Sequence, residues 1–263
     1  MTGRWLSTPT WHDWFEQAWA DREENVYPRL FGPDPRGIFT LPNTIFLDTF
    51  QQPSFDPRWL HYGVFEFRPT PTRPSWLYVT SGMSNAWEDD EPDPNGPSGF
   101  GCEFVLETAE QGDWAILRLQ HLMAFQILLC HGRYPGRNPI SPYDRIPLRA
   151  SITEASSELR WLILAPPTGF AAGFKLATGL VELYQAFGAT QAEAAYAREH
   201  GGDDGAYPDV PANEFVKSCG GEQASGDHRE RSRGLCQFSS FEHGGDSLFR
   251  RRSGCRSEPA INP

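Results

Sequence analysis

Acidic side chains dominate the residues that could do chemistry in this chain. Glu88, Asp89, Asp90, Glu91 and Asp93 fall within one short stretch, followed by Asn95. Such a cluster can neutralise a basic peptide or hold a divalent cation. A helix-loop-helix calcium loop needs alternating ligands, a central glycine and a terminal glutamate, and this spacing lacks them. The basic-peptide reading therefore ranks above the metal one. The serines are the next candidates. Gly82-Met83-Ser84-Asn85-Ala86 has the first glycine and the serine of a nucleophile elbow but not the last glycine. Ser98 lies in the glycine-rich run Gly96-Pro97-Ser98-Gly99-Phe100-Gly101. That run precedes a strand, whereas a phosphate cradle opens a helix. A hydrolase would have to pair Ser84 or Ser98 with His61 or His131, and this is the rival enzymatic reading. His12, His61, His121 and His131 read as structural histidines. Cys219, Cys236 and Cys255 lie 17 and 19 residues apart, far from the close pairs of zinc sites. The expected inventory is thus no catalytic residue, no metal and no cofactor.

These residues sit in a chain of 263 with 23 basic and 34 acidic side chains, a net charge of −11. A nucleic-acid partner is excluded on that balance, because such binding needs a basic face that displaces counterions. A basic protein partner fits it, because complementary fields steer encounter. No apolar run approaches the ~20 residues that span a bilayer. Met1-Thr2-Gly3-Arg4-Trp5 turns polar at once, without a signal-peptide core. Five cysteines without a C-x-x-C pair do not form a disulfide framework. A cytoplasmic, reducing location is the expectation.

The elements that must position the candidates follow from periodicity. Residues 10–24 read as an amphipathic helix, with Thr10 as N-cap and Asp13 three residues on. Trp11, Trp14, Phe15, Ala18 and Trp19 recur at helical spacing. That stripe packs on a core, or else docks a partner helix as a scaffold subunit would. From 32 to 108 the texture is of strands: Ile38–Leu41, Thr44–Leu47, Tyr62–Arg68, Trp76–Val79 and Phe100–Glu107. In the last, Phe100, Cys102, Phe104 and Leu106 share one face while Glu103 and Glu107 share the other. Asp113 to His131 is apolar nearly all round, which predicts a buried helix, with Asp113 as its cap and Gly132 and Pro135 ending it. Leu159–Leu164 and Phe174–Tyr184 each read as a strand. Thr190 then caps a helix over Gln191–His200. The whole predicts an α+β, mixed α/β sandwich-like fold with a mostly antiparallel or mixed central sheet and helices packed on it.

Residues 203–263 read differently. Leu, Ile, Val and Phe number only 9 of the 63 residues from 201 onward. That is too little apolar surface to offset chain entropy, so a disordered tail is expected. It is either a genuine extension or an out-of-frame reading. Residues 1–200 keep a net charge of −9, from 15 basic and 24 acidic residues, so the acidity belongs to the folded part. The expected organisation is an N-terminal helix over 1–29, a domain over 30–202 and the tail.

Several blocks, in this order, resemble the suppressor-of-fused family. They are Trp76-Leu77-Tyr78-Val79-Thr80-Ser81-Gly82-Met83-Ser84, then the acidic stretch, then Gly96-Pro97-Ser98-Gly99-Phe100-Gly101-Cys102-Glu103-Phe104. The helix around Leu119–Cys130, Trp161–Pro166, Phe174–Leu176, Glu182–Tyr184 and Ala197–Gly201 continue the resemblance. It implies an α/β sandwich-like domain without catalytic residues. Eukaryotic members are adaptors that bind a short peptide of a transcription factor by strand addition and retain it in the cytoplasm. Stand-alone bacterial members resemble immunity proteins of toxin systems, and a single family domain favours that type. Asn95 stands where the eukaryotic adaptors tend to have an acid. The implied site is a partner-binding face with Tyr78 and Trp87 as aromatic anchors and Glu88, Asp89, Asp90, Glu91, Asp93 and Asn95 around them. The implied partner is another protein, a toxin or a basic segment.

Overall fold

The computed structural model describes residues 10–87, 92–148, 150–153 and 157–200. Thr10 opens the first helix as its sequence predicts. Its hydroxyl accepts from the Asp13 amide and the Asp13 carboxylate accepts from the Thr10 amide, at 3.4 and 2.7 Å. Helix α1 (Trp11–Ala20) does not stop at residue 24. It runs through a widened π-helical turn, Asp21–Val26, into α2 (Tyr27–Phe31). Pro28 falls in the first turn of α2, directly after the widened turn, where a missing N–H is tolerated. Gly32, at φ +110°, ends the helix.

The strands are β1 (Arg36–Thr40), β2 (Gly63–Phe67), β3 (Trp76–Ser81), β4 (Pro97–Thr108), β5 (Arg145–Pro147), β6 (Trp161–Ala165), β7 (Gly173–Leu176) and β8 (Gly179–Ala189). They form one eight-stranded mixed sheet in the order β1-β2-β3-β4-β8-β6-β5, with β7 pairing β8. Only β4 and β8 run parallel; the other pairs are antiparallel. Helix α3 (Asp113–Cys130) packs on one face, and α4 (Gln191–His200) follows β8. This is the mixed α+β sandwich the sequence implies.

Three local expectations are corrected. Thr44–Leu47 is not a strand: Ile45–Thr49 forms a second π-helical turn. A short apolar run has no period that separates strand from buried turn, and here Phe46 goes inward against Phe55 and Trp59. Phe174–Tyr184 is not one strand but a hairpin, because Leu176 pairs Gly179 across two residues and Gly179 adopts φ +140°. Finally, Gly112 rather than Asp113 caps α3. Asp113 is one position too late to cap, and its carboxylate meets Arg36 instead, at 3.3 Å.

Helix α3 is buried along most of its length, and the polar residues that interrupt it are connectors. Arg118 donates to the carbonyls of Ser151 and Ile152, and Gln120 to those of Phe39 and Thr40. Gln126 accepts from the Ile140 amide. His121 sits between the Leu117 carbonyl and the Thr49 hydroxyl. Burial holds its imidazole below the usual histidine range; the nearby Arg118 adds to this and the Leu117 carbonyl opposes it. A base whose native pKa is lowered resists protonation in the fold and accepts it when unfolded. Its contribution to stability is therefore complete above about pH 6.5 and is lost as pH falls from there through the native value. His121→Gln should lose less stability than the parent below about pH 6.5, measured as the difference between their urea midpoints across pH. Parallel curves would contradict the assignment.

The sheet separates two cores. On the α3 face lie Val64, Tyr78, Cys102, Phe104, Leu106 and Tyr184. On the other face Phe65, Phe67, Leu77, Val79 and Val105 pack against Ala18, Val26, Tyr27 and Phe31 of the N-terminal helix. The alternation read in β4 is present, but its Glu103 face does not meet water. The N-terminal helix covers that face, and Glu103 is fully buried.

Candidate functional site

The two sequence blocks on either side of the acidic stretch fold against each other at one end of the sheet. Strand β3 ends at Ser81, and Gly82 turns the chain at φ +128°. Below that turn lies the Glu103 carboxylate of β4. One oxygen accepts from the Gly82 amide (3.0 Å), the Ser84 amide (2.9 Å) and the Ser84 hydroxyl (2.7 Å). The other accepts from the Thr80 hydroxyl at 2.6 Å. A buried carboxylate needs this degree of satisfaction.

The matching cation comes from the N-terminal helix. Arg22, in the widened turn, is buried to 1% exposure. Its guanidinium donates to the Ser84 hydroxyl at 3.0 Å and the Asn85 side-chain carbonyl at 2.6 Å. It also meets Glu23 at 3.2 Å, whose carboxylate accepts from the Ser81 hydroxyl. Ser84 is thus the bridge between a buried arginine and a buried glutamate. The Nε of Arg22 has no partner among the described residues.

Ser98 is spent in the same way. Its hydroxyl donates to the Ser84 carbonyl (2.8 Å) and lies 2.6 Å from the Thr178 hydroxyl. The Phe100 amide donates to the Met83 carbonyl at 2.7 Å. Neither serine bonds a histidine. The His131 ring lies against Trp59 and Phe100 with Nδ1 on the Ile127 carbonyl. His61 is exposed at the end of a separate turn, Pro57–His61. The serine–histidine pairing weighed for a hydrolase does not form.

The sequence-nominated residues divide clearly. Tyr78 is fully buried, and its hydroxyl accepts from the Gly112 amide at 2.9 Å. Its ring belongs to the α3-face core and offers a partner no surface, which corrects its placement as an anchor. Trp87 is half-buried. Its Nε1 donates to the Tyr62 hydroxyl (2.8 Å), its ring lies parallel to Tyr62, and Phe15 of α1 covers it at 4.4 Å between centroids. Asp93 and Asn95 are exposed, and the Asp93 carboxylate accepts from the Asn95 amide at 2.9 Å. Glu88, Asp89, Asp90 and Glu91 lie outside the described residues, as do Cys219, Cys236, Cys255 and the segment 201–263.

Both flanks of the acidic stretch are therefore fixed. The N-terminal flank is held by Arg22 on Asn85 and by Tyr62 and Phe15 on Trp87. The C-terminal flank is held where the Leu180 amide donates to the Gly96 carbonyl at 2.7 Å and Ser98 meets Thr178. Leu180, 44% exposed, and Pro97 give this flank an apolar surface. Arg22, Glu103 and Thr178 were not singled out in sequence. One signal for Glu103 is present: a carboxylate in the middle of an apolar run, Phe100 to Leu106, next to a Gly-x-Gly.

A family model described as suppressor of fused protein (SUFU) matches residues 58–205. The chain belongs to the suppressor-of-fused family. Among solved structures it is similar to Drosophila Suppressor of Fused, at 20% identity and a TM-score of 0.49, over 70% of this chain and 44% of that one. It thus spans less than half of that protein. A Sufu–Fu complex gives 20% identity and 0.49, over 68% and 77%. A suppressor-of-fused homologue from Neisseria gonorrhoeae FA 1090 gives 16% and 0.47, over 72% and 84%. No curated protein sequence matches the chain. The blocks quoted above all fall inside the matched segment, whereas Arg22 and its helix lie outside it.

Among the described residues no three histidine, cysteine or carboxylate side chains converge as a metal site would need. No described helix is long and apolar enough to cross a membrane. The sheet's β1 edge borders an open groove of about 480 Å³, lined by Ile38, Phe39, Thr40, Ile116, Leu117 and Gln120 among others.

Proposed function

We propose that this chain is a non-enzymatic protein-binding module that neutralises or sequesters a basic partner protein, in the manner of a toxin-immunity protein. The observation that carries this reading is the use of Ser84 and Ser98. Their hydroxyls are committed to a buried frame that holds the described residues on both flanks of the acidic stretch. Family membership supports it, as does the existence of a family structure in which Sufu is complexed with Fu. The partner segment adds to a sheet edge through main-chain hydrogen bonds. The β1 edge is a candidate, since Thr40 pairs Gly63 and Gly63 pairs Ser81 in the row from which the acidic stretch departs. The carboxylates of Glu88–Asp93 supply negative potential that speeds encounter and rejects acidic competitors.

Reversing Glu88, Asp89 and Asp90 to lysine changes the charge by six units. It should weaken binding of a polylysine probe at least about tenfold at low salt and flatten the salt dependence. Titration calorimetry at two ionic strengths measures both. Equal affinity of parent and variant at low salt would overturn the acidic-loop reading.

A further inference from the structure

Trp87 stands at the point where the acidic stretch begins, yet its outer face is not open. Phe15 of α1 lies over it at 4.4 Å. The covering helix is unevenly anchored. In α2, Tyr27 and Phe31 are each 1% exposed, and the Tyr27 hydroxyl donates to the Thr80 carbonyl at 2.6 Å. In α1 only Phe15 and Ala18 are buried, while Trp14 and Trp19 are half-buried and Trp11 is 47% exposed. Between the two lies the π-helical turn, a geometry that departs from the regular ladder and recurs at functional positions. Arg22 occupies that turn, and one of its buried nitrogens has no partner among the described residues.

We propose that α1 is a strap that closes over Trp87, hinged at Asp21–Val26 and set in its closed position by Arg22 on Ser84 and Asn85. When α1 swings away, α2 stays in the core, and Trp87 and Tyr62 are uncovered beside the acidic stretch. The strap thereby masks an aromatic anchor until a partner's apolar side chain takes the place of Phe15. This rests on the partner-facing reading of this end of the sheet and adds its regulation.

The test uses the full chain without a partner. Native-state hydrogen exchange should show amides of Trp14–Ala20 exchanging at least about a hundredfold faster than those of α2, β3 and β4, as expected of a unit that opens on its own. Phe15→Ala should raise the exchange of α1 further and leave β3 and β4 unchanged. With 5-fluorotryptophan, the Trp87 resonance, assigned through Trp87→Phe, should shift toward its solvent-exposed position in Phe15→Ala. Equal protection of α1 and the core strands would overturn the strap. So would a Trp87 resonance that does not move. Neither readout involves the acidic residues, so the charge-reversal experiment and this one fail separately.

Discussion

Glu103→Leu is expected to destabilise the fold by about 3–5 kcal/mol, since a buried donor left without its acceptor costs about 1–3 kcal/mol and several are stranded together. The carboxylate takes four hydrogen bonds, two of them from backbone amides that no other group reaches. Removing it strands those amides and the Ser84 hydroxyl and leaves buried Arg22 with Glu23 as its one carboxylate neighbour among the described residues. Arg22→Met should cost a comparable amount for the mirror-image reason. The double variant is the informative one. With both charges gone the two amides, the Ser84 and Thr80 hydroxyls and the Asn85 side-chain carbonyl still lose a partner, but neither buried charge is left without the other, so the loss should be smaller than the sum of the singles by about 1–3 kcal/mol. Urea denaturation of the four proteins gives the cycle. Strict additivity would mean that Ser84 does not transmit the pairing between Arg22 and Glu103.

Gly99→Ala should cost about 2–4 kcal/mol, from a left-handed backbone and a steric clash together. Gly99 adopts φ +55°, and a Cβ there would lie 2.5 Å from the Asn85 carbonyl oxygen and 2.7 Å from that of Met83. Both obstacles are backbone. The Met83 oxygen cannot retreat without losing its bond from the Phe100 amide. Gly136→Ala is the control. Its φ is +74°, but nothing lies within 4 Å of the added carbon. It should cost only the backbone component, about 1 kcal/mol. Thermal unfolding of both variants checks the pair. Equal losses would show that the close approach of the two motifs is not what requires a glycine at 99.

Much of the fold could be read from residue order. Thr10 and Asp13 mark a capping box whose geometry is local, and Thr190 with Glu193 marks another. The apolar circumference of 113–131 announces a buried helix because no side of it suits water. The alternation of Cys102, Phe104 and Leu106 marks one face of β4. The misread elements are those where local pattern is degenerate. Ile45–Thr49 is too short to show a period, and Phe174–Tyr184 hides a two-residue turn at Thr178 that lacks the usual Asn-Gly.

The candidate site was legible in its chemistry but not in its assignment of roles. Tyr78 and Trp87 look alike in sequence, as aromatic residues flanking the same turn. Strand register sends Tyr78 into the α3-face core, while the turn carries Trp87 beneath α1. Ser84 and Ser98 look like candidate nucleophiles because a sequence shows a hydroxyl without its partners.

What the sequence determines alone is therefore local or additive: the Thr10 and Thr190 caps, the faces of β4, the buried helix, the net charge and the order of the family blocks. These follow from neighbouring residues or from summed composition. What only the tertiary structure decides is which distant groups meet. Arg22 finds Ser84 across 62 positions and Ser98 finds Thr178 across 80. Those contacts are made by packing a helix and a hairpin against one turn, and no periodicity along the chain encodes a distance in space.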